Sequence, residues 1–223
     1  MNRTPLRERS LPDYTRAEEL FHMISHIVGG AMGIAILVLC IIRAALHHSA
    51  WGVVGSCIYG ATMILLYTMS CIYHGLAQST AKKAFQVLDH CTIYYLIAGT
   101  YTPILFCAIR PQHPCWAWTL FALVWSCAAT ATVFTAIDLK KYAKLSMICY
   151  LAMGWCIVVA VKPALATIPA AGLWWLLFGG IAYTAGAVLY GLGKKKRWLH
   201  AVFHVFVILG SLLQFFGIYG YVL

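Results

Sequence analysis

Charged residues are scarce in this chain. Only 10% of its 223 residues are Asp, Glu, Lys or Arg, and only six residues are acidic. A soluble domain carries about 25% charged residues, whereas 62% of this chain is hydrophobic, so it cannot cover itself with polar surface. The shortage of charge therefore excludes a soluble globular protein and predicts an integral membrane protein with a single domain.

Several other sequence signatures are missing. The nine cysteines form no C-x-x-C pair and most lie in apolar runs, which predicts small buried hydrophobes rather than a disulfide framework. The polar N-terminus is not followed by the short apolar stretch of a signal peptide. The chain has no convincing internal repeat, linker or low-complexity tract, and the lack of ten-residue alternating segments argues against a β-barrel.

Seven apolar stretches are each long enough to cross a bilayer, which takes roughly 20 residues. Prolines or charge clusters mark the short connections between them. We therefore expect an all-α fold, a seven-transmembrane-helix bundle over residues 18–223, preceded by a cytoplasmic N-terminal segment over residues 1–17. The predicted spans are 20–42, 52–77, 86–109, 115–137, 142–161, 171–192 and 198–222.

Positive charge collects on one side of this topology. Three cations fall on the other side, namely Arg43, Arg110 and Lys162. The positive-inside rule then places the N-terminus in the cytoplasm and the C-terminus outside, in a bacterial inner membrane. The same cations predict attraction to anionic lipid headgroups rather than to nucleic acid. The basic side holds thirteen cations: Arg3, Arg7, Arg9, Arg16, Lys82, Lys83, Lys140, Lys141, Lys144, Lys194, Lys195, Lys196 and Arg197.

Ionisable and polar residues within the predicted spans collect at one depth. Ser70 and His74 lie near the cytoplasmic end of the second span, and Asp89 lies at the start of the third. His200 and His204 occupy the first two turns of the seventh span. Such groups are costly in lipid and tend to be paired or functional, so their shared depth predicts a common site in the cytoplasmic third of the membrane.

The spacing of these residues favours a metal site. His200 and His204 are four residues apart and share one helix face, and Ser70 and His74 have the same offset. Three histidines with an open fourth position form a catalytic-type zinc site. A carboxylate such as Asp89 can orient or deprotonate the water that the metal activates. The pattern predicts Zn²⁺ bound by His74, His200 and His204, with Asp89 and Ser70 as catalytic residues.

Each feature also has a structural interpretation. The H-x-x-x-H and S-x-x-x-H pairs could bridge helices through hydrogen bonds, and Asp89 could pair with Lys82 or Lys83. In the first span, His22 and His26 are expected to face lipid headgroups rather than a metal. The sequence assigns no firm role to Glu19, His22, His26 and His90.

Five motifs occur in a characteristic order: EELFHMISHIVGG, YGATMILLYTMSCIYHGL, LDHCTIYYLIAGTYTPILF, YLAMGW and HAVFHVFVILGS. From about Glu18 to the C-terminus, the chain resembles the hemolysin III-related bacterial membrane proteins. These are kin to the progestin and adipoQ receptors, in a superfamily with the alkaline ceramidases. The resemblance implies that the three histidines hold zinc and that Ser70 and Asp89 contact the water it activates. The long N-terminal extension of the eukaryotic receptors is missing, which argues against a hormone-receptor role.

Three functions follow from this pattern. The first is zinc-dependent intramembrane hydrolysis of a lipid amide or ester, with Asp89 as general base and Ser70 positioning the water or the oxyanion. The second is a non-enzymatic regulator of membrane lipid state or energetics, in which structural zinc links spans two, three and seven. Cytolysis or ion permeation is less favoured, because a conducting path needs polar residues through both halves of the membrane. The sequence names neither the substrate nor the oligomeric state.

Overall fold

The computed structural model describes residues 4–193 and 196–223, and the regular secondary structure in these two ranges is entirely helical. The described residues contain seven helical spans long and apolar enough to cross a membrane, which confirms the all-α seven-helix architecture. Arg3, Lys194 and Lys195, three of the predicted basic-side cations, lie outside the described residues. The helices are α1 (Arg16–Leu46), α2 (Ala50–Gly75), α3 (Thr80–Pro103), α4 (Pro114–Ile137), α5 (Ala143–Gly154), α6 (Val161–Thr167), α7 (Ala170–Gly193) and α8 (Leu199–Tyr221).

Local capping fixes where the first three helices begin. Thr15 and Glu18 form a reciprocal capping box at the start of α1, and the hydroxyls of Ser49 and Ser79 cap α2 and α3. Such side chains satisfy backbone N–H groups that have no partner inside the helix. The box makes α1 begin at Arg16, four residues before the predicted start of the first span at residue 20, so both glutamates of its first turn are helical.

Two of the spans are not regular α-helices. The third span continues past Pro103 as a π-helical turn, Ile104–Ile109, which is typical of a site where a proline disturbs the hydrogen-bond ladder. The fifth span consists of α5, a 3₁₀ turn at Cys156–Ala160, and α6. Pro163 follows the predicted end of the fifth span at residue 161, where a proline was expected to mark the connection, but it lies in the first turn of α6, where a proline costs no hydrogen bond.

One tyrosine stabilises the break in the fifth span. The Tyr101 hydroxyl donates to the Gly154 carbonyl oxygen at 2.8 Å and accepts from the Ile157 N–H at 3.1 Å. Backbone polar groups exposed by a broken helix must find partners inside the protein at membrane depth. Tyr101, which lies on α3, therefore gives the backbone groups at the break polar partners and allows α5 and α6 to share one span.

The third span lies at the centre of the bundle. In its most apolar window 72% of the residues are buried, against 17% in the fifth span and 17% in α7. Close approach of α2 and α3 depends on Gly99, where a Cβ atom would lie only 1.9 Å from Thr62 Oγ1. Small residues allow such backbone contact between membrane helices. The central position of α3 brings its first turns beside the ends of α2 and α8.

The ends of the helices define one basic end of the bundle, where α1, α3, α5 and α8 begin and α2, α4 and α7 end. Residues 4–15 cross this end as an N-terminal strap. Thr4 N–H donates to Asp138 Oδ2 at 3.3 Å, and Arg9 Nη2 donates to the Ile137 carbonyl at 2.6 Å. The strap therefore connects the α4–α5 turn to the start of α1 and delivers Tyr14 to the middle of the basic end.

Candidate metal centre

Four histidines from three helices meet near the basic end. His22 comes from α1, His74 from α2, and His200 and His204 from α8, and one ring nitrogen of each lies within 4.8 Å of the others. All four side chains are buried. The structure thus brings together the three histidines that the sequence selected, and it adds a fourth. We call these residues the histidine cluster.

The expectation that His22 and His26 face lipid headgroups was wrong. His22 is 0% exposed and His26 is 4% exposed. Both belong to the face of α1 that packs inward, which also carries Glu18, Gly29 and Gly33. A stripe of polar and small residues at helical spacing, in an otherwise apolar span, is the sequence signal that identifies this face.

A carboxylate orients the His74 ring. Nδ1 of His74 lies 2.6 Å from Oε2 of Glu19, and Oε1 of Glu19 lies 2.8 Å from Nζ of Lys82. Because an ionised carboxylate can only accept, Nδ1 carries the proton and Nε2 presents its lone pair to the cluster. Outer partners of this kind fix the orientation of metal-binding histidines and raise their basicity. The Glu19 and Lys82 roles were not predicted from the sequence.

Lys82 therefore does not serve as the partner of Asp89. It is 2% exposed and pairs with Glu19, whereas the Lys83 ammonium donates to the Arg7 carbonyl in the N-terminal strap. Neither lysine therefore forms the ion pair with Asp89 that was considered as a structural alternative. Lys82 holds the carboxylate that orients His74, and Lys83 helps to hold the strap.

The donor atoms of the cluster fit a single cation. Within the described residues, both ring nitrogens of His22 and Nε2 of His74 are buried without a hydrogen-bond partner, a state that costs free energy unless something binds them. Nε2 of His200 lies 3.2 Å from Nε2 of His204. Tetrahedral zinc–nitrogen bonds place neighbouring nitrogens about 3.3 Å apart. The cluster can therefore hold a metal ion, and imidazoles suit zinc, copper, iron and nickel.

Asp89 and Ser70 lie beside each other on α3 and α2. The Ser70 side chain is 1% exposed, and its hydroxyl lies near enough to the Asp89 carboxylate to interact with it. Asp89 Oδ2 also lies 3.7 Å from Nδ1 of its neighbour His90. The structure thus places the two predicted catalytic residues near each other, and Ser70 lies about one helical turn along α2 from His74.

His90 contributes to a different contact. Its Nδ1 lies 2.8 Å from the Gln86 carbonyl oxygen, and its Nε2 lies 3.0 Å from the hydroxyl of Tyr190 on α7. The ring therefore bridges α3 and α7 and does not join the histidine cluster. Sequence spacing alone does not assign this role.

An apolar cavity begins beside the cluster and extends into the bundle between α3, α5, α7 and α8. The space between its walls, together with its open mouth, amounts to about 1130 Å³. Asp89, His90, Tyr190 and His200 line one end, and Gln214 lines it 14 residues further along α8, roughly 20 Å away at the helical rise. Its intervening walls are mainly aliphatic and aromatic: Leu66, Ile93, Leu96, Ile97, Tyr101, Met147, Leu151, Trp155, Tyr183, Phe203 and Val207.

A second, polar cavity lies on the other side of His200, at the basic end. Asp13, Glu18, Lys196 and Arg197 are among the residues that line it. Between this cavity and the cluster stands Tyr14, whose ring stacks on His200 at 5.1 Å between centroids and meets His22 edge-on at 5.0 Å. Burial raises the pKa of the Tyr14 phenol, so the ring is neutral. Tyr14 therefore covers part of the cluster towards the polar cavity, which His200 also lines.

Glu18 ties the beginnings of α1 and α8 together. Its Oε1 accepts from the Trp198 N–H at 3.0 Å, while its Oε2 accepts from the N–H and hydroxyl of Thr15. Trp198 adopts a positive φ of 66° just before α8 begins. This contact sets the start of α8 relative to α1, and with it the positions of the α8 histidines relative to His22.

The fold and the site define a multi-pass membrane protein with a buried polyhistidine centre. The family model described as "Haemolysin-III related" matches residues 14–215, and the chain belongs to this family, as the sequence motifs predicted. "Hemolysin-3" of Bacillus cereus is 39% identical over 206 residues, covering 92% of each chain.

Two further relatives extend the comparison. "Hemolysin-3 homolog" of Bacillus subtilis (strain 168) is 39% identical over 208 residues, covering 93% of this chain and 96% of the relative. "Monocyte to macrophage differentiation factor" of Homo sapiens is 27% identical over 195 residues, covering 83% and 79%. No solved structure gives a significant match.

Proposed function

We propose that this protein is a zinc-dependent intramembrane hydrolase that cleaves an amide or ester bond of a membrane lipid. The observation that carries the proposal is the apolar cavity, whose polar end is lined by Asp89 and by His200 of the cluster. A concave apolar site with a few convergent polar groups is typical of ligand binding. The chain would place an acyl group along the cavity and its carbonyl beside these two residues.

The chemistry divides between the ion and the side chains. Zinc held by the histidine cluster would supply Lewis acidity, which favours attack on a carbonyl and deprotonation of a water molecule. Asp89 takes the proton as the water oxygen adds to the carbonyl carbon. It then gives the proton to the leaving nitrogen or oxygen as the C–N or C–O bond breaks. Ser70 lies near the Asp89 carboxylate and would help to orient it, and Glu19 keeps the His74 lone pair directed at the site.

The proposal includes the membrane setting. The basic end would face the cytoplasm of a bacterial inner membrane, because cytoplasmic connections carry the excess of Lys and Arg. The lipid headgroup would then lie at the cytoplasmic face, where these cations attract anionic lipids. Few residues of α5 contact α7, so the gap between these helices would offer the acyl chain a route from the bilayer into the cavity.

Metal analysis combined with lipid hydrolysis by the purified protein tests the proposal. His74→Ala, His200→Ala and His204→Ala should each lose zinc and turnover. Asp89→Asn should keep zinc and lose about 10²–10⁴-fold in kcat, the usual contribution of a general base. His47→Ala is the matched control, because His47 contacts the Leu223 carbonyl at the opposite end of the bundle. Full zinc retention in a variant lacking all three histidines would disprove the zinc site.

His22 supports a second candidate, a structural metal in a non-enzymatic regulator of membrane lipid state or energetics. Catalytic zinc sites keep an open position, whereas structural sites are closed by four protein ligands. The histidines would link α1, α2 and α8, rather than spans two, three and seven as the sequence suggested. An Asp89→Asn protein that retains zinc and its full physiological effect would favour this candidate over hydrolysis.

A further inference from the structure

We propose that His22 is a fourth metal ligand that closes the site in the resting protein and is released when the site opens for chemistry. The inference rests on the metal site of the proposed function. It adds that α1, and not only α2 and α8, controls whether a coordination position is free.

The position of the His22 ring supports its assignment as a ligand. Its centroid lies 4.5 Å from that of His74, 4.7 Å from that of His200 and 4.7 Å from that of His204. It is thus nearly equidistant from the other three rings. One donor nitrogen from each of the four rings lies within 4.8 Å of the others. This arrangement fits four ligands around a tetrahedral ion better than three ligands with His22 as a non-ligand neighbour.

A hydrogen-bonding role does not account for His22. The side chain is 0% exposed, and neither ring nitrogen has a hydrogen-bond partner in the described part of the chain. A neutral imidazole has one donor and one acceptor nitrogen, so burial without partners is unfavourable. Coordination would satisfy the acceptor nitrogen.

His26 shows that burial alone does not make a ligand. It lies one turn further along α1 and is also buried without a hydrogen-bond partner among the described residues. Its ring stacks face to face on His204, with centroids 3.9 Å apart and planes 25° apart. It does not belong to the group of converging donor atoms. His26 is therefore the natural control for His22.

Outer contacts hold His74 and His204 more firmly than His22. His74 is held by Glu19 at 2.6 Å, and Nδ1 of His204 lies 3.5 Å from the Ser25 hydroxyl. Within the described ranges, His22 has no such partner on its second nitrogen. Ligands without an outer hydrogen bond are less firmly oriented and less basic. The release is therefore a movement of the His22 side chain, because a shift of the whole of α1 would also displace Glu19 and Ser25, which lie on the same helix.

Metal substitution in the purified full-length protein tests this directly. Co²⁺ serves as the probe, because its visible absorption reports coordination number. Wild type should show a four-coordinate spectrum that added azide does not change. His22→Ala should bind Co²⁺ at least about tenfold more weakly, the lower end of what loss of an outer partner costs, and should accept azide in the vacated position. His26→Ala should behave as wild type in both measurements.

His22→Cys gives a signature that does not depend on the alanine variant folding. A cysteine at this position should add a thiolate-to-cobalt charge-transfer band that wild type lacks, since thiolates bind the same metals as imidazoles. A cobalt-loaded His22→Cys protein without that band would overturn the inference. So would identical affinity and azide response in wild type and His22→Ala. Failure of wild type to bind either Co²⁺ or Zn²⁺ would instead remove the proposed metal site itself.

Discussion

Glu19 holds His74 by a contact of 2.6 Å between Oε2 and Nδ1, and Lys82 holds Glu19 from the other side at 2.8 Å. The three residues come from α1, α2 and α3, so these two polar contacts connect three helices on the Nδ1 side of the His74 ring. Lys82 Nζ also donates to the Leu76 carbonyl at the end of α2. The orientation of His74 is therefore set by the packing of the bundle as well as by its own rotamer.

Glu19→Gln should weaken zinc binding by roughly 10–100-fold, the cost of losing an outer-shell partner of a metal-binding histidine. The amide still accepts a hydrogen bond but no longer supplies the negative charge that makes His74 basic. Chelator competition on the purified protein measures the affinity. Glu8→Gln, on the exposed strap, is the control and should leave it unchanged. Equal affinities for wild type and Glu19→Gln would contradict this role.

Tyr14→Ala should speed the removal of metal by a chelator while leaving the equilibrium affinity within a few-fold of wild type. The Tyr14 ring covers His200 and His22 but supplies no ligand, so its loss opens the path from the polar cavity. Stopped-flow extraction with a coloured chelator measures the rate. Tyr221→Ala, at the opposite end of the bundle, should not change it. An unaltered rate in Tyr14→Ala would show that metal exchange follows another route.

Ala187→Phe should lower lipid hydrolysis by about tenfold or more, since misplacing a substrate by about 1 Å can already cost 10²-fold. Ala187 lines the apolar cavity on α7, and the larger side chain occupies space intended for the acyl chain. Metal content should stay at the wild-type level. Val188→Phe is the matched control, because Val188 is 55% exposed on the lipid-facing side of the same helix. Normal hydrolysis by Ala187→Phe would exclude this cavity as the acyl site.

Asp138 should make the attachment of the strap sensitive to acid. The Lys141 backbone N–H and the hydrogen bond from Thr4 lower the pKa of Asp138 to about 2, against about 3.9 for an unfolded aspartate. The stabilisation is therefore fully present above about pH 4 and is lost as the pH falls towards 2. Asp138→Asn should lower Tm at pH 7, and its difference from wild type should shrink on acidification.

Thermal unfolding in detergent between pH 7 and pH 2 measures this difference. Asp13→Asn is the control variant. Asp13 also lies in the strap, but the strap is bonded to Asp138 and Ile137 through Thr4 and Arg9. A Tm difference between wild type and Asp138→Asn that does not vary with pH would show that the charge of Asp138 has no stabilising role.

The sequence predicted the seven-helix architecture and the grouping of His74, His200 and His204 because those features depend on local properties. A span needs a fixed length of apolar residues whatever surrounds it, and seven such lengths can be counted. Depth follows from the same count, which is why His74 could be expected at the level of His200 and His204. The i, i+4 spacing then placed the two α8 histidines on one face without any knowledge of packing.

Rotation of each helix about its axis was decided only by the tertiary structure. Hydropathy places His22 at the right depth, but burial of the face that carries Glu18, His22 and His26 depends on how α1 fits against α2 and α8. The pairing of Lys82 with Glu19, and not with Asp89, depends on the same fit. Contacts between residues far apart in the chain arise from the shapes of packed surfaces, and depth along a helix does not specify them.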